Sequence, residues 1–258
     1  MNPPTCHLLW LSLLLLLPAA NLPASDFDKE QRWSDQIVDS ILDGDPVWLM
    51  ADGHQFLSIF TPADNDSREN GLIVMHGIGV HPNWDQVIRP IRVEMTTRGW
   101  NTLSIQMPVL ANDAVPEDYA KLFPEVTPRI DAALQHLASY GSRKIVLIGH
   151  SMGSSMSAYY LGRNSQGVIK GFVAIGMNAT PVFSDLTGLE SVKVPVLDLF
   201  GSDDLPVVLE NRLKKAMAAQ SGGNLRFQQQ EIEGANHFFD DKNDELVDAV
   251  DDWLKNLP

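Results

Sequence analysis

The chain is poor in the residues on which several kinds of function depend. Cys6 is its only cysteine among 258 residues, so no disulfide framework can form within the chain. The sequence contains no HExxH motif, no CxxC motif and no EF-hand spacing. We therefore expect neither a metal ion nor a cofactor.

Basic residues are also scarce. The 19 Lys and Arg residues are outnumbered by 33 Asp and Glu residues, which gives a formal net charge of −14. Such a surface repels nucleic acid and anionic lipid. The composition therefore predicts no nucleic-acid partner, and it leaves partner proteins undefined.

Residues 1–25 contain no Lys, Arg, Asp or Glu. An apolar block over residues 8–17, interrupted only by Ser12, is followed by Pro and Ala residues, as in a secretory signal peptide. The block is shorter than the ~20 residues that a membrane-spanning helix needs. Because no basic residue precedes it, an uncleaved anchor and a wrongly assigned start codon stay open. We predict a signal peptide over 1–25, one domain over 26–258, and a periplasmic or secreted protein.

Strand-like and helix-like segments alternate after an initial hairpin. Asp52-Gly53 joins the first two strand-like runs, which is a strong hairpin signal. The predicted strands are 46–50, 55–61, 72–75, 101–107, 144–148, 171–175, 194–200 and 225–232. The predicted helices are 87–97, 130–139, 154–161, 207–219 and 244–257. This alternation indicates a mainly parallel sheet covered by helices on both faces.

Two connecting segments bear on access to such a sheet. About seventeen residues separate the strand that ends near Gly176 from the strand that begins at Val194, which leaves no room for a large helical lid. The longest insertion is 109–127, and we expect it to shape substrate access. Phe123, Phe183 and Trp84 could line an acyl pocket, but we expect them in the core.

The sequence Gly-His-Ser-Met-Gly at 149–153 stands between the strand 144–148 and the helix 154–161. A G-x-S-x-G pattern in that context is typical of a nucleophile elbow, a sharp turn that exposes the serine above the sheet. Gly149 and Gly153 are needed because side chains there would collide with the neighbouring strand or helix. The pattern predicts Ser151 as a nucleophile.

A serine nucleophile needs a base, and the base needs an orienting acid. Asp203 and Asp204 follow a predicted strand, and His237 lies in the loop after the last one. Active-site loops of open α/β sheets gather at these strand ends. We predict Ser151, Asp204 and His237 as the catalytic residues, with Asp203 as the alternative acid and Asp185 as a rival acid after the preceding strand.

From about Val47 to its end, the chain resembles the α/β-hydrolase superfamily. Residues 201–206 match its G-x-x-D motif with a following proline, which selects Asp204, and residues 234–238 match its G-x-x-H-F motif. Residues 76–79 match its H-G-x-G loop. The resemblance implies an α/β-hydrolase fold, with a mostly parallel eight-stranded sheet, helices on both faces and no large lid domain.

The same resemblance implies that the backbone N–H groups of Ile78 and Met152 form an oxyanion hole. It also implies that His76 and His150 support the site rather than react. A narrower likeness is carried by His-Pro-Asn-Trp-Asp at 81–85 and Arg-Gly-Trp-Asn-Thr-Leu-Ser at 98–104. These segments resemble an uncharacterised bacterial branch of exported proteins, a domain-of-unknown-function family.

The favoured hypothesis is a serine hydrolase that acts on carboxylic esters or related acyl compounds, with a small-molecule or lipid-like acyl substrate. The same catalytic residues could cleave peptides, thioesters or lactones. The alternative is a non-catalytic binding protein of the cell envelope, because a fold by itself does not prove activity.

Overall fold

The computed structural model describes residues 24–164, 167–180, 183 and 188–257. Apart from Ala24 and Ser25, the predicted signal peptide lies outside the described residues, and so does Asp185. Within these described ranges, every helix is too short or too polar to cross a bilayer.

Eight strands form one sheet in the order β1-β2-β4-β3-β5-β6-β7-β8. The strands are β1 (Asp45–Ala51), β2 (His54–Thr61), β3 (Asn70–Met75), β4 (Asn101–Ile105), β5 (Lys144–His150), β6 (Ile169–Ile175), β7 (Val196–Asp203) and β8 (Phe227–Asn236). β2 is antiparallel to β1 and to β4, and the remaining pairs are parallel. The predicted, mostly parallel sheet is confirmed. Residues 176–195 alone separate β6 from β7, so there is no large lid domain, as predicted.

Helices cover both faces of the sheet. They are α1 (Phe27–Ser40), α2 (Ile88–Thr97), α3 (Phe123–Tyr140), α4 (Met152–Arg163), α5 (Pro206–Glu210), α6 (Arg212–Ser221) and α7 (Asn243–Lys255), with 3₁₀ turns at Pro116–Leu122 and Leu189–Ser191. Successive strand residues point to opposite faces. Accordingly Leu72 and Val74 pack with α2 and α7, whereas Ile73 and Met75 pack with α3 and α4.

Helix α1 was not among the predicted elements. Its side chains that face the protein are Lys29, Glu30, Ser34 and Ile37, three of them polar. Its apolar residues at helical spacing are confined to the second half of the helix, where Trp33, Ile37 and Val38 pack with Leu57 and Ile59 of β2. The remaining signal was the N-cap, since the Asp26 carboxylate accepts a hydrogen bond from the Lys29 N–H at 2.9 Å.

Two predicted helix boundaries were wrong. Helix α3 begins at Phe123 rather than near residue 130, with Pro124 in its first turn, where a missing N–H costs little. The single helix predicted over 207–219 is two helices that meet at Asn211. The Asn211 side-chain amide donates to the Val207 carbonyl at 2.7 Å and so competes with the helical hydrogen bonds.

A buried ion pair fastens α6 to the sheet. The Lys215 ammonium lies 2.7 Å from a carboxylate oxygen of Asp198 on β7, and both side chains are almost fully buried. Gln229 on β8 donates to the other carboxylate oxygen at 2.8 Å. Burial nevertheless raises the pKa of Asp198, because desolvation disfavours its charge.

We expect Lys215→Met to lower the free energy of unfolding by about 3–5 kcal/mol, because it leaves the Asp198 carboxylate buried without its cation. Urea unfolding would measure this loss. Lys255→Met, which removes an exposed lysine paired with Asp251 and Asp252, is the control and should cost much less, because solvent screens an exposed ion pair. Equal losses of unfolding free energy in the two variants would contradict the inferred role of the buried Lys215–Asp198 pair.

Candidate active site

Ser151 stands on a strained turn between β5 and α4. Its backbone has φ 54° and ψ −119°, in a region that non-glycine residues rarely adopt. The Ser151 N–H donates to the Ile175 carbonyl on β6 at 2.8 Å, which ties the turn to the next strand. The Ser154 hydroxyl donates to the Gly149 carbonyl at 2.5 Å and braces the turn from the helix side.

The two glycines of the pentapeptide are sites of close backbone approach. A Cβ atom on Gly149 would stand 2.5 Å from the Gly153 carbonyl oxygen. A Cβ atom on Gly153 would stand 2.6 Å from the His76 carbonyl oxygen. Each clash involves backbone atoms, which cannot move aside as a side chain can. The turn therefore requires glycine at both positions.

The structure brings together the three side chains predicted to be catalytic. His237 Nε2 lies 3.0 Å from Ser151 Oγ, and His237 Nδ1 lies 2.6 Å from Asp204 Oδ1. A carboxylate only accepts hydrogen bonds, so Nδ1 carries the ring proton and Nε2 is left to accept from the serine hydroxyl. His237 and Asp204 are buried and Ser151 is half-buried, so the serine is the member that solvent reaches.

Of the two adjacent acids, Asp204 alone contacts His237. Its carboxylate is buried and accepts from the Leu205 N–H at 2.7 Å, which fixes its orientation. Asp203 is exposed at the end of β7, where it pairs in the sheet with Asn236. The geometry of Ser151, His237 and Asp204 is that of an oriented imidazole beside a hydroxyl. Their catalytic roles stay predictions.

Two backbone donors lie beside Ser151. A Cβ atom on Gly77 would come within 2.9 Å of Ser151 Cβ, so the loop after β3 packs directly on the serine. Met152 is the first residue of α4, where the N–H groups have no partner within the helix. Among the described residues, neither the Ile78 N–H nor the Met152 N–H has an acceptor. Both are free to bind an oxygen atom above the serine.

His76 orients the first of these donors. Its Nδ1 donates to the Gly77 carbonyl at 2.9 Å, while its Nε2 accepts from the Met107 N–H at 2.9 Å. In a trans peptide the C=O and the following N–H point in opposite directions, so holding the Gly77 oxygen fixes the direction of the Ile78 N–H. Burial lowers the pKa of His76 to about 3, which keeps the ring neutral.

A buried polar network connects this loop to α1. Arg129 on α3 donates to the Gln106 carbonyl at 2.9 Å. It also donates two hydrogen bonds, of 2.9 and 3.0 Å, to the Glu30 carboxylate. The Gln106 side chain in turn lies 3.0 Å from His76 Nε2. Sequence reasoning missed Gln106, Arg129 and Glu30, because 99 residues separate the ion-pair partners and no local pattern links them.

His150 contacts the other side of the site. Its Nε2 donates to the His237 carbonyl at 2.9 Å, and the two rings lie 4.9 Å apart. Its Nδ1 is buried without a hydrogen-bond partner in the described part of the chain. Burial, and then the nearby His237, lower the pKa of His150 to about 4.

The aromatic residues considered for a pocket have different environments. Phe123 and Phe183 are fully buried, with ring centroids 6.0 Å apart and nearly parallel planes. Trp84 is half-buried and donates to the Gln86 side chain at 3.0 Å. The insertion 109–127 contacts α1 near its start, where Lys29 donates to the Leu110 carbonyl at 2.8 Å, and its side chains Tyr119 and Leu122 are buried in the core. Its part in substrate access stays a prediction.

No group of three or more His, Cys, Asp or Glu side chains within the described ranges is arranged to hold a metal ion.

The neutral histidines make stability depend on pH. Because the folded-state pKa values of His76 and His150 lie below the ordinary value of 6.5, the unfolded chain binds more protons as the pH falls below that value. The part of the unfolding free energy that comes from keeping these rings neutral is fully present above pH 6.5. It is lost as the pH falls toward about 4 for His150 and toward about 3 for His76. Each histidine adds up to about 1.4 kcal/mol per pH unit to this slope.

We therefore expect the unfolding free energy of His150→Asn to fall less steeply than that of the unaltered chain between pH 6.5 and about 4. Urea unfolding at several pH values measures both slopes, and carboxylate titrations contribute equally to each. Parallel slopes would contradict the burial of a neutral ring at this position.

Solved structures with the same chain path are α/β-hydrolases. Est1E from Butyrivibrio proteoclasticus has a TM-score of 0.65 and 14% identity, covering 81% of this chain and 97% of its own. A putative alpha/beta hydrolase from Agrobacterium tumefaciens has a TM-score of 0.63 and 20% identity, covering 83% and 99%. The Pyrococcus furiosus esterase Pf2001 has a TM-score of 0.65 and 17% identity, covering 82% and 90%. These likenesses confirm the α/β-hydrolase fold.

No curated protein matches the sequence. The model of a family described as "Protein of unknown function (DUF3530)" matches residues 18–128 and 111–256, which is nearly the whole chain. The predicted membership in a domain-of-unknown-function family is thereby confirmed. The chain belongs to the DUF3530 family and has the α/β-hydrolase fold.

Proposed function

We propose that this protein is a serine hydrolase that cleaves carboxylic esters or related acyl compounds through an acyl-enzyme. The observation that carries the proposal is the continuous hydrogen-bonded series from Ser151 Oγ through the His237 ring to the Asp204 carboxylate. A hydroxyl of ordinary acidity becomes a useful nucleophile when a neutral imidazole accepts its proton during attack.

In the proposed reaction, Ser151 Oγ attacks the carbonyl carbon while its proton passes to His237 Nε2. Asp204 stabilises the imidazolium that forms and keeps the ring in the reactive tautomer. The Ile78 and Met152 N–H groups receive the negative charge that develops on the carbonyl oxygen. His237 returns the proton to the departing alcohol, and water then cleaves the acyl-enzyme by the same steps.

The substrate class is inferred from this chemistry, namely a small-molecule or lipid-like acyl compound. Several proteins of the same fold are described as esterases, and one structure of Est1E carries bound ferulic acid. These descriptions belong to those proteins, and they support an ester substrate here. From the segment 1–25 we further propose that the domain over 26–258 works in the periplasm or outside the cell.

Replacing Ser151 by Ala should reduce kcat for an activated ester by more than ~10⁴-fold, because the nucleophile is lost. A fluorophosphonate probe should label the unaltered chain at Ser151, as read by mass spectrometry, and should not label this variant. Ser157→Ala is the control, since Ser157 is buried on the same helix with its hydroxyl bonded to the Gly153 carbonyl at 2.6 Å. Absence of labelling in the unaltered chain would favour the non-catalytic binding protein instead.

The two adjacent acids provide a matched test of the orienting role. Asp204→Asn should lower kcat by about 10³–10⁴-fold, because an amide facing Nδ1 no longer selects the reactive tautomer. Asp203→Asn should leave kcat within about twofold, since this exposed carboxylate does not touch His237. Similar losses in both variants, at unchanged thermal stability, would refute the assignment of Asp204.

A further inference from the structure

A cavity of about 470 Å³ lies at the edge of the sheet where the parallel strands begin. Its walls come from the end of α4, from the start of β6 and from the segments that lead into β7 and β8. Ser151, Asp204 and His237 lie at the opposite ends of these strands. Seven residues at ~3.3 Å each separate the two edges by roughly 20 Å, so this cavity is not part of the site described above.

The cavity is lined by basic side chains in a strongly acidic protein. Among the described residues that line it, four are cationic and none is Asp or Glu. The cationic residues are Arg163, Lys170, Lys193 and Arg226. The chain as a whole has a net charge of −14, so the positive charge of this cavity is opposite in sign to the charge of the protein as a whole.

Sheet pairing brings the cations together. Phe172 on β6 pairs with Val196 on β7, and Val196 pairs with Phe227 on β8. Lys170, which precedes Phe172 by two residues, and Arg226, which precedes Phe227 by one, therefore flank the same point of the sheet edge. The convergence is a property of the strand register rather than of mobile side chains alone.

Three of these cations are held by neutral groups. The Lys193 ammonium donates to the Gly222 carbonyl at 2.7 Å, and Lys170 donates to the Gly167 carbonyl at 2.6 Å. Arg226 Nη2 donates to the Lys193 carbonyl at 2.9 Å. Within the described part of the chain, none of the three has a carboxylate at ion-pair distance. Backbone carbonyl groups therefore hold the three cationic groups in place without neutralising their charges.

Some cations elsewhere on the surface are neutralised by carboxylates. Arg98 pairs with two carboxylates of α7, and Lys242 and Lys255 pair with acids on their own helix. Like charges that line one cavity repel one another, and a bound anion relieves that repulsion. The cavity therefore has the electrostatic form of an anion site.

We propose that this cavity binds the phosphate group of a phosphorylated ligand. A phosphate group offers three acceptor oxygens and up to two charges, which suits a cavity lined by guanidinium and ammonium groups. The net charge of the whole protein acts weakly here, because salt screens charges beyond a Debye length of ~8 Å. The acidic surface thus disfavours long polyanions without excluding a small anion from this cavity.

The test is calorimetric titration of the full chain with glycerol 3-phosphate and with inorganic phosphate. We expect saturable binding that weakens with added salt. Lys193→Gln/Arg226→Gln should weaken binding about 25-fold, at about fivefold for each cation removed. Arg212→Gln/Lys214→Gln removes the same charge from exposed positions on α6 and should change binding by less than about twofold.

Vesicle sedimentation separates a soluble ligand from a lipid headgroup. Binding to phosphatidylglycerol vesicles in excess of phosphatidylcholine vesicles, lost in Lys193→Gln/Arg226→Gln, would identify the lipid as the source of the phosphate. The segment 1–25 carries no Lys, Arg, Asp or Glu, so it contributes similarly to both vesicle types. The proposal would be overturned if the chain bound neither glycerol 3-phosphate nor inorganic phosphate and showed no preference for phosphatidylglycerol vesicles, or if the two double variants lost binding equally.

Discussion

The site depends on a close approach of backbone that only glycine allows. At Gly149 and Gly153 the elbow, the following helix and the loop after β3 meet with no space for a Cβ atom. This contact holds Ser151 at a positive φ, which costs of order 1–3 kcal/mol. Hydrogen bonds from Ser151 and Ser154 to neighbouring carbonyl groups offset the strain. Without this arrangement, neither the hydroxyl nor the N–H of Met152 would have its present direction.

The sequence predicted those parts of the site in which the functional residues form short motifs with fixed spacing. The elbow, the acid loop and the histidine loop each lie within a few residues, and strand patterning puts them at one sheet edge. Choosing Asp204 over Asp203 rested on a following proline, and the geometry supplies the physical reason: only Asp204 is turned inward. Helix α1 was missed because its apolar spacing covers only its second half, and the break at Asn211 because no Gly or Pro marks it.

The supporting network was out of reach for another reason. Arg129, Gln106 and Glu30 come from α3, from the segment after β4 and from α1, and nothing in their local sequence distinguishes them from surface residues. Arg129 and Glu30 can be buried because each satisfies the other's charge, and burying either of them alone would be costly. Gln106 donates through its amide nitrogen, while its Oε1 has no partner among the described residues. Pairing between polar residues that are far apart in the sequence is visible in the structure, but a single sequence contains no local pattern that predicts it.

Helix α1 has a consequence for where the folded unit begins. The superfamily motifs extend only from about Val47, yet Arg129 finds its carboxylate partner upstream, at Glu30. A recombinant form trimmed to the motif-bearing region would bury a guanidinium without a counter-charge, directly behind the loop that carries Ile78. Its failure to fold would say nothing about the proposed chemistry, because the missing helix supplies the counter-charge of Arg129.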